Sequence, residues 1–499
     1  MIRSRWFRVE YLIFLLAIAV RIIPGPRIID DAYITFRYSQ NFLSGNGLVY
    51  NPGEAVLGTT TPLYALLISL IALFFRGSLA PYPQLALGIN AFADGFTCLL
   101  LMKLARRLGF PRAGTIGALL WALSPMSVTF AIGGMETSFT ILLLMGSLYM
   151  YSIHRPVATA LLAAFSLLSR PDTLIAILPL IAARGISSIR NRSRPISLVE
   201  VLAFGVPLLI WGLIGYQFYG SPIPQSVSAK TVAYNLPNDA ALIRLLQHYA
   251  TPFQGNLVLG RFYIAFGLLL FPALSIFGWR QVLKENGYLW PLAVYPLVYF
   301  LIFSIANPLI FRWYLVPPLP LYILGIVVGL ATLAKRLRQP LILSGFSLIF
   351  LVFTINAWTL KLDHGPARPA PEMAYIKLEE LYIQAVSDLK PNIKKGETIA
   401  AGDIGAIGYY SQVPILDMVG LISPQTSEYF PLPEDKYVIN YAIPAQLVLD
   451  FKPDYLIMLE VYGRRTLLLD PTFQRTYALY EEYPTSIYGS HAMLVFEHR

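Results

Sequence analysis

The chain has 499 residues, 56% of them hydrophobic and only 13% charged, and a mean hydropathy of +0.58. That composition excludes an ordinary soluble domain and is that of a polytopic helical membrane protein. A net charge of +10 would suit nucleic acid. The Lys and Arg residues, however, sit in short clusters between apolar segments, as cytoplasmic loops do, so no nucleic-acid partner is expected.

The basic start MIRSRWFR leads into an apolar run at 9–23. No small-residue cleavage site precedes Asp30, so this reads as an uncleaved first span. Further apolar segments follow at 61–75, 84–104, 113–132, 138–153, 156–168, 173–183, 198–219, 261–278, 288–305, 315–333 and 341–360. Basic clusters mark the inner side: Arg3/Arg5/Arg8, Arg106/Arg107/Arg112, His154/Arg155, Arg184 to Arg194, Arg280/Lys284 and Lys335/Arg336/Arg338. If every segment crossed, the cluster at 106–112 would face outward. Segment 61–75 is short of the roughly 20 residues a span needs and starts at Pro62. It is therefore expected to lie at the outer interface or re-enter, together with an amphipathic helix near 32–44. That leaves about 11 transmembrane helices, with the N-terminus cytoplasmic and the C-terminus outside. The segments 156–168 and 173–183 are expected to be half-buried, with Ser169-Arg170-Pro171-Asp172 at their outer turn. The single cysteine, Cys98, lies in an apolar segment, so no intrachain disulfide forms.

Four stretches then share the outer face: 24–83, 133–137, 220–260 and 306–314. Composition changes after Leu360. Residues 1–360 read as a membrane-embedded catalytic domain, and 361–499 as a soluble extracytoplasmic α/β domain of ordinary size. Within the latter, 378–389 reads as an amphipathic helix. ETIAAGD, PDYLIML and AMLVFEH read as strands, and GDIGAIGYYS as a strand-to-helix turn. Aspartates and glycines at that turn could bind a ligand, but the spacing of Gly402, Gly405 and Gly408 is better explained by tight turn packing.

The acid–base candidates converge on the outer side. Asp30-Asp31 follows the first span directly. Adjacent carboxylates repel, and beside lipid they are expensive unless they face water, which makes the pair a site hypothesis. The plainer alternative is a solvated helix start. Glu136, after a Gly-Gly pair, is a second acid, or else a first-turn acid on a helix dipole. Arg37, Lys230 and Arg312 are the cations best suited to clamp a phosphate. Arg37's alternative is an ion pair with the acids; for the other two it is a lipid-headgroup anchor. Such a set suits removal of a proton from a hydroxyl nucleophile while cations stabilise a leaving phosphate. The substrate that lives at this depth is a sugar on a lipid phosphate. There is no P-loop and no zinc-spaced His/Cys cluster, which counts against a nucleotide-sugar enzyme or an ATP-driven pump.

DDAYITFRYSQNFLSGNGLVYNPGE (30–54), followed by TTTPLYALL, resembles the first outer loop of the GT-C superfamily, closest to arabinofuranosyltransferase-like proteins. GGMETSF (133–139), LLSRPDTL (167–174), YGSPIPQSVSAK (219–230), RWYLVPPLPLY (312–322) and GDIGAIGYYSQVPILDMVGL (402–421) resemble further motifs of that group. The resemblance implies an inverting transferase using a polyprenyl-phosphate sugar donor and a glycan, lipid or protein acceptor on the outer side of the cell membrane. It implies Asp30 as general base. Asp31 then tunes it, contacts the acceptor or helps hold a divalent cation, and Arg170 and Asp172 make contacts at their turn. Leu57 to Pro62 departs from the group's usual Glu-Gly-(Tyr/Thr)-Thr-(Asn/Ser)-Pro, which bears on acceptor identity. Two other readings stand beside it: a carrier of lipid-linked sugar, with ionisable groups near the midplane, and a non-catalytic partner in envelope assembly. The clearly intramembrane acid is Asp94, which is expected to satisfy a neighbouring helix. Tyr409, Tyr410, Tyr429 and Tyr462 are candidates for stacking on sugar rings.

Overall fold

A computed structural model describes residues 2–190, 195–253, 260–359, 368–371, 374 and 376–499. The expected domain boundary at 360/361, Arg192 and Arg194 of the fourth basic cluster, and the side chains of Arg3 and Arg5 lie outside the described residues.

The helices in chain order are α1 (Ile2–Ile22), α2 (Asp30–Leu43), α3 (Pro62–Ala72), α4 (Tyr82–Arg107), α5 (Pro111–Leu123), α6 (Pro125–Ile132), α7 (Thr137–Ser152) and α8 (Pro156–Ser169). They continue with α9 (Leu174–Arg190), α10 (Leu198–Tyr219), α11 (Gln225–Ala233), α12 (Ala240–Ala250), α13 (Gly260–Glu285), α14 (Trp290–Ala306), α15 (Leu319–Arg336) and α16 (Pro340–Asn356). α3, α5, α6, α8 and α16 each begin with a proline, whose fixed φ and missing N–H cost nothing in a first turn. Among the described residues, six helices are long and apolar enough to cross a bilayer: α4, α9, α10, α13, α14 and α15. α5 and α6, bent 47° at their break, make a seventh if they form one span. α3, α7, α8 and α16 are shorter apolar helices. α3 has 11 residues, about 16 Å at 1.5 Å per residue, half of what a bilayer needs.

Two compact units result. The first comprises Met1–Arg27, Ala86–Ile210 and Asn238–Ala374. Its polar heart lies where α1, α4, α5, α6 and α7 meet. The Asp94 carboxylate accepts from Arg21 Nε (2.8 Å), Ser138 Oγ (2.8 Å) and Trp121 Nε1 (3.2 Å). The remaining Arg21 nitrogens reach the carbonyls of Ala17 and Ala122 and the Ser127 hydroxyl. Both ends of the pair are completely buried, so Asp94 satisfies its neighbours, as expected of a structural intramembrane acid.

The second unit comprises Ile28–Leu85, Trp211–Pro237 and Tyr375–Arg499. Its sheet is mixed. β1 (Trp358–Thr359) and β2 (Ala370–Pro371) form a short separate ribbon that belongs to the first unit. After α17 (Lys377–Leu389) the chain forms β3 (Ile399–Ala401), α18 (Gly405–Ser411), β4 (Ile415–Asp417), β5 (Tyr455–Leu459), β6 (Tyr477–Pro484) and β7 (Ala492–His498). The order is β4-β3-β5-β7-β6, with β4, β3 and β5 parallel and β7 antiparallel to both β5 and β6. β5 is buried along its whole length and β3 likewise, as strands covered on both faces are. The three strands and the Gly-rich turn read from the sequence are therefore β3, β5, β7 and the β3–α18 connection.

Candidate functional site

Helix α2 starts at the acid pair, and its two carboxylates diverge. Asp30 is 8% exposed. Its Oδ2 accepts from Gly405 N (2.8 Å) and its Oδ1 from Ala406 N (2.7 Å), the first free N–H groups of α18. The helix end attracts the negative charge and orients it. Burial, Asp403 and Asp31 all push the Asp30 carboxyl well above the usual carboxylate range, against the pull of those two N–H groups. A Cβ at Gly405 would run into the Asp30 backbone, and one at Gly408 into the Tyr50 hydroxyl and Arg37. Two of the three glycines of the turn are thus required by the close approach of α2, which is the turn packing expected from their spacing.

Asp31 faces elsewhere. Its side chain keeps 30% exposure, and Lys230 Nζ of α11, itself 22% exposed, lies 3.5 Å from its Oδ2. Arg37, one face further along α2, is not available to a phosphate: it is 2% exposed. Its guanidinium donates to the carbonyls of Tyr50 (2.9 Å), Val413 (2.7 Å) and Gly408, and it stacks over the Tyr50 ring. Tyr50 in turn donates to the Ile404 carbonyl, and Asn51 exchanges hydrogen bonds with Ile415. The Gly-Leu-Val-Tyr-Asn motif is the staple that fixes the first loop to the β3–α18–β4 unit. The phosphate role expected of Arg37 is replaced by this structural one, because every nitrogen of its fork meets a backbone carbonyl.

A second layer surrounds the acids. Glu379 of α17 accepts from the Asp30 backbone N–H (3.2 Å), and among the described residues its Oε2 has no partner although the residue is 8% exposed. Burial raises its carboxyl to about 7. Asp403, in the turn after β3, accepts from the Tyr382 hydroxyl at 2.5 Å and keeps solvent contact; burial and Asp31 raise it. Tyr234, one turn after Lys230, neighbours Tyr441 (centroids 5.8 Å), which neighbours Tyr462 (5.1 Å). Sequence reasoning named Tyr462 but not Asp403, Glu379, Tyr382 or Tyr234. The Lys230–Tyr234 spacing of four was the signal available for the last.

The other expected site residues belong to the first unit. Arg170 is 2% exposed and forks onto Asp172 (Nε–Oδ1 2.9 Å, Nη2–Oδ2 3.0 Å) while Nη1 reaches Glu136 (3.3 Å) and the Trp313 carbonyl. Tyr299 donates to Asp172, and Arg170 lies over the Tyr314 ring. GGMETSF, LLSRPDTL and RWY thus meet in one buried ion network. Arg312 is exposed beside Arg244, whose guanidinium is lowered by burial and by Arg312. Among the described residues, no group of three or more His, Cys, Asp or Glu side chains is placed to hold a metal ion. Within the second unit a cavity of about 500 Å³ is lined by Val56, Leu57, Tyr219, Ile223, Ser228 and Thr231, among others.

Residues 373–496 match a family described as a domain of unknown function, DUF8728. The terminal beta-(1->2)-arabinofuranosyltransferase of Mycobacterium tuberculosis is 28% identical over 233 residues. That match covers 41% of this chain and 35% of the mycobacterial protein, so the chain spans about a third of that relative's length. The oligosaccharyltransferase of Archaeoglobus fulgidus superposes with a TM-score of 0.59 at 13% identity, over 97% of this chain and 72% of that one. ArnT from Cupriavidus metallidurans, bound to undecaprenyl phosphate, gives 0.57 at 12%, over 99% and 97%. Nearly the whole chain therefore shares the fold of these two structures.

Proposed function

We propose that the protein is a multi-pass membrane glycosyltransferase that moves a sugar from a polyprenyl-phosphate donor to an acceptor hydroxyl on the extracytoplasmic side. The observation that carries the reading is the split acid pair: one carboxylate clamped, the other solvent-accessible beside a lysine. Asp31, rather than the Asp30 that the resemblance implies, acts as general base, because both Asp30 oxygens are engaged by N–H groups of α18; Asp30 positions its neighbour. Asp31 takes the proton as the acceptor oxygen bonds to C1. The C1–O bond to phosphate breaks, its electron pair leaves with the polyprenyl phosphate, and the anomeric configuration inverts. Lys230 neutralises the leaving phosphate. The cavity beside α11 suits the first units of an isoprenoid chain, and Arg312 with Arg244 forms a separate anion site on the first unit. Residues 376–499 supply the wall that holds α2. The mycobacterial relative supports arabinofuranose as a sugar to try first.

The test is a turnover assay on the purified chain with synthetic polyprenyl-phosphoryl arabinofuranose and mannose, following release of polyprenyl phosphate. Asp31→Asn is expected to lose about 10²–10⁴ in rate with an unchanged elution profile. A full rate in that variant removes Asp31 as base. The carrier reading is disfavoured by the fully paired Asp94; a labelled lipid-linked sugar crossing liposomes unconsumed would revive it.

A further inference from the structure

At the carboxyl ends of β3 and β5 the sheet of the second unit carries acidic and aromatic groups that the proposed reaction leaves unused. From β3 the chain passes through α18 to β4 on one side and later returns to β5 on the other. The carboxyl ends of β3 and β5 are therefore a topological switch point, where open parallel sheets bind ligands. Asp403 follows β3 by two residues and Tyr462 follows β5 by three. Both keep solvent contact, as does Tyr234 on the α11 side. Asp403 is close enough to Tyr234 and Tyr462 for its charge to raise both phenols, and close enough to Asp31 for that charge to raise Asp403.

We infer that this switch point is a sugar-ring subsite, with Asp403 accepting hydroxyl protons and Tyr234 and Tyr462 offering aromatic faces beside Asp31. The chemistry favours a neutral polyol over other planar or charged ligands. Two carboxylates repel a nucleotide or a phosphate, and Lys230 disfavours an ammonium. A sugar presents hydroxyl donors along its edge and C–H groups on its face, which match a fixed carboxylate flanked by rings. Tyr382 holds Asp403 Oδ2, so the carboxylate is oriented before a ligand arrives and Oδ1 is free of that bond. This deepens the glycosyltransferase reading by making the bound sugar the acceptor.

The test uses saturation-transfer NMR on the full chain in detergent, with a linear arabinofuranosyl tetrasaccharide and with mannotetraose as probes. Wild type is expected to saturate ring protons of at least one. Asp403→Asn and Tyr462→Ala are each expected to weaken that probe about tenfold or more, the worth of one charge-assisted hydrogen bond or one stacked ring. Asp31→Asn retains binding. An elution profile and a thermal melt equal to wild type show that both switch-point variants are folded. Wild type binding neither probe, or both switch-point variants binding as wild type does, overturns the subsite. Absence of donor turnover in every protein, with oligosaccharide binding intact, instead overturns the transferase reading.

Discussion

Replacing Asp94 by leucine tests whether this intramembrane acid is architecture or machinery. The substitution strands Arg21, completely buried with its Nε 2.8 Å from the missing carboxylate, and removes the acceptor of Ser138 and Trp121. Removing one partner of a buried ion pair costs about 3–5 kcal/mol. At roughly 2 °C per kcal/mol for a chain beyond 200 residues, that is a fall of about 6–10 °C in Tm. The assay is loss of the monodisperse peak on size exclusion after heating the solubilised protein. Arg21→Met/Asp94→Leu, which removes both charges, is expected to recover most of the loss. At temperatures where Asp94→Leu remains folded, its turnover should match wild type. An unchanged melting profile together with lost activity would refute the argument and move Asp94 into a transport or catalytic path.

Glu379 makes a pH prediction. Its folded carboxyl at about 7 lies above the ordinary 4.5 of a glutamate, so it contributes stability that is full below pH 4.5 and lost as pH rises through 7. The shift amounts to about 3 kcal/mol. Glu379→Gln should flatten the melting temperature across that window, and a wild-type slope that survives the substitution counts against the assignment. Gly405→Ala should displace the start of α2, because the added carbon meets the Asp30 backbone; both thermal stability and turnover are expected to fall, while alanine at Gly53, where nothing lies within 4 Å but φ is +88°, should cost about 1 kcal/mol. Arg170→Lys loses the fork onto Asp172 and leaves buried carboxylates short of donors. A drop of about 3 kcal/mol in stability is expected, and thermal melting equal to wild type would contradict the network.

The membrane class, the α2 helix, the short α3 and the strands of the C-terminal segment were legible because each depends on local pattern: apolar length, period and turn residues. The acid pair was legible as a motif, but the divided surroundings of its two carboxylates were not. That division depends on α18 donating two N–H groups from the far end of the chain, which no local pattern records. Arg37 misled for the same reason, since a buried fork on carbonyls and an open fork awaiting phosphate have the same sequence. Glu136, Arg170 and Asp172 could be named but not joined, because Arg170 meets Glu136 across 34 positions, a contact that no local pattern records.

Asp30 and Gly405 are 375 positions apart, and that separation sets a timetable. At ~5–20 residues per second of synthesis, the first loop is complete roughly 20–75 seconds before its clamp exists. Until then the Asp30 carboxylate lacks both of its N–H partners, and the Arg37 fork has the Tyr50 carbonyl but neither that of Gly408 nor that of Val413. A chain cut off before α18 has the helices of its first part but not the clamp on α2.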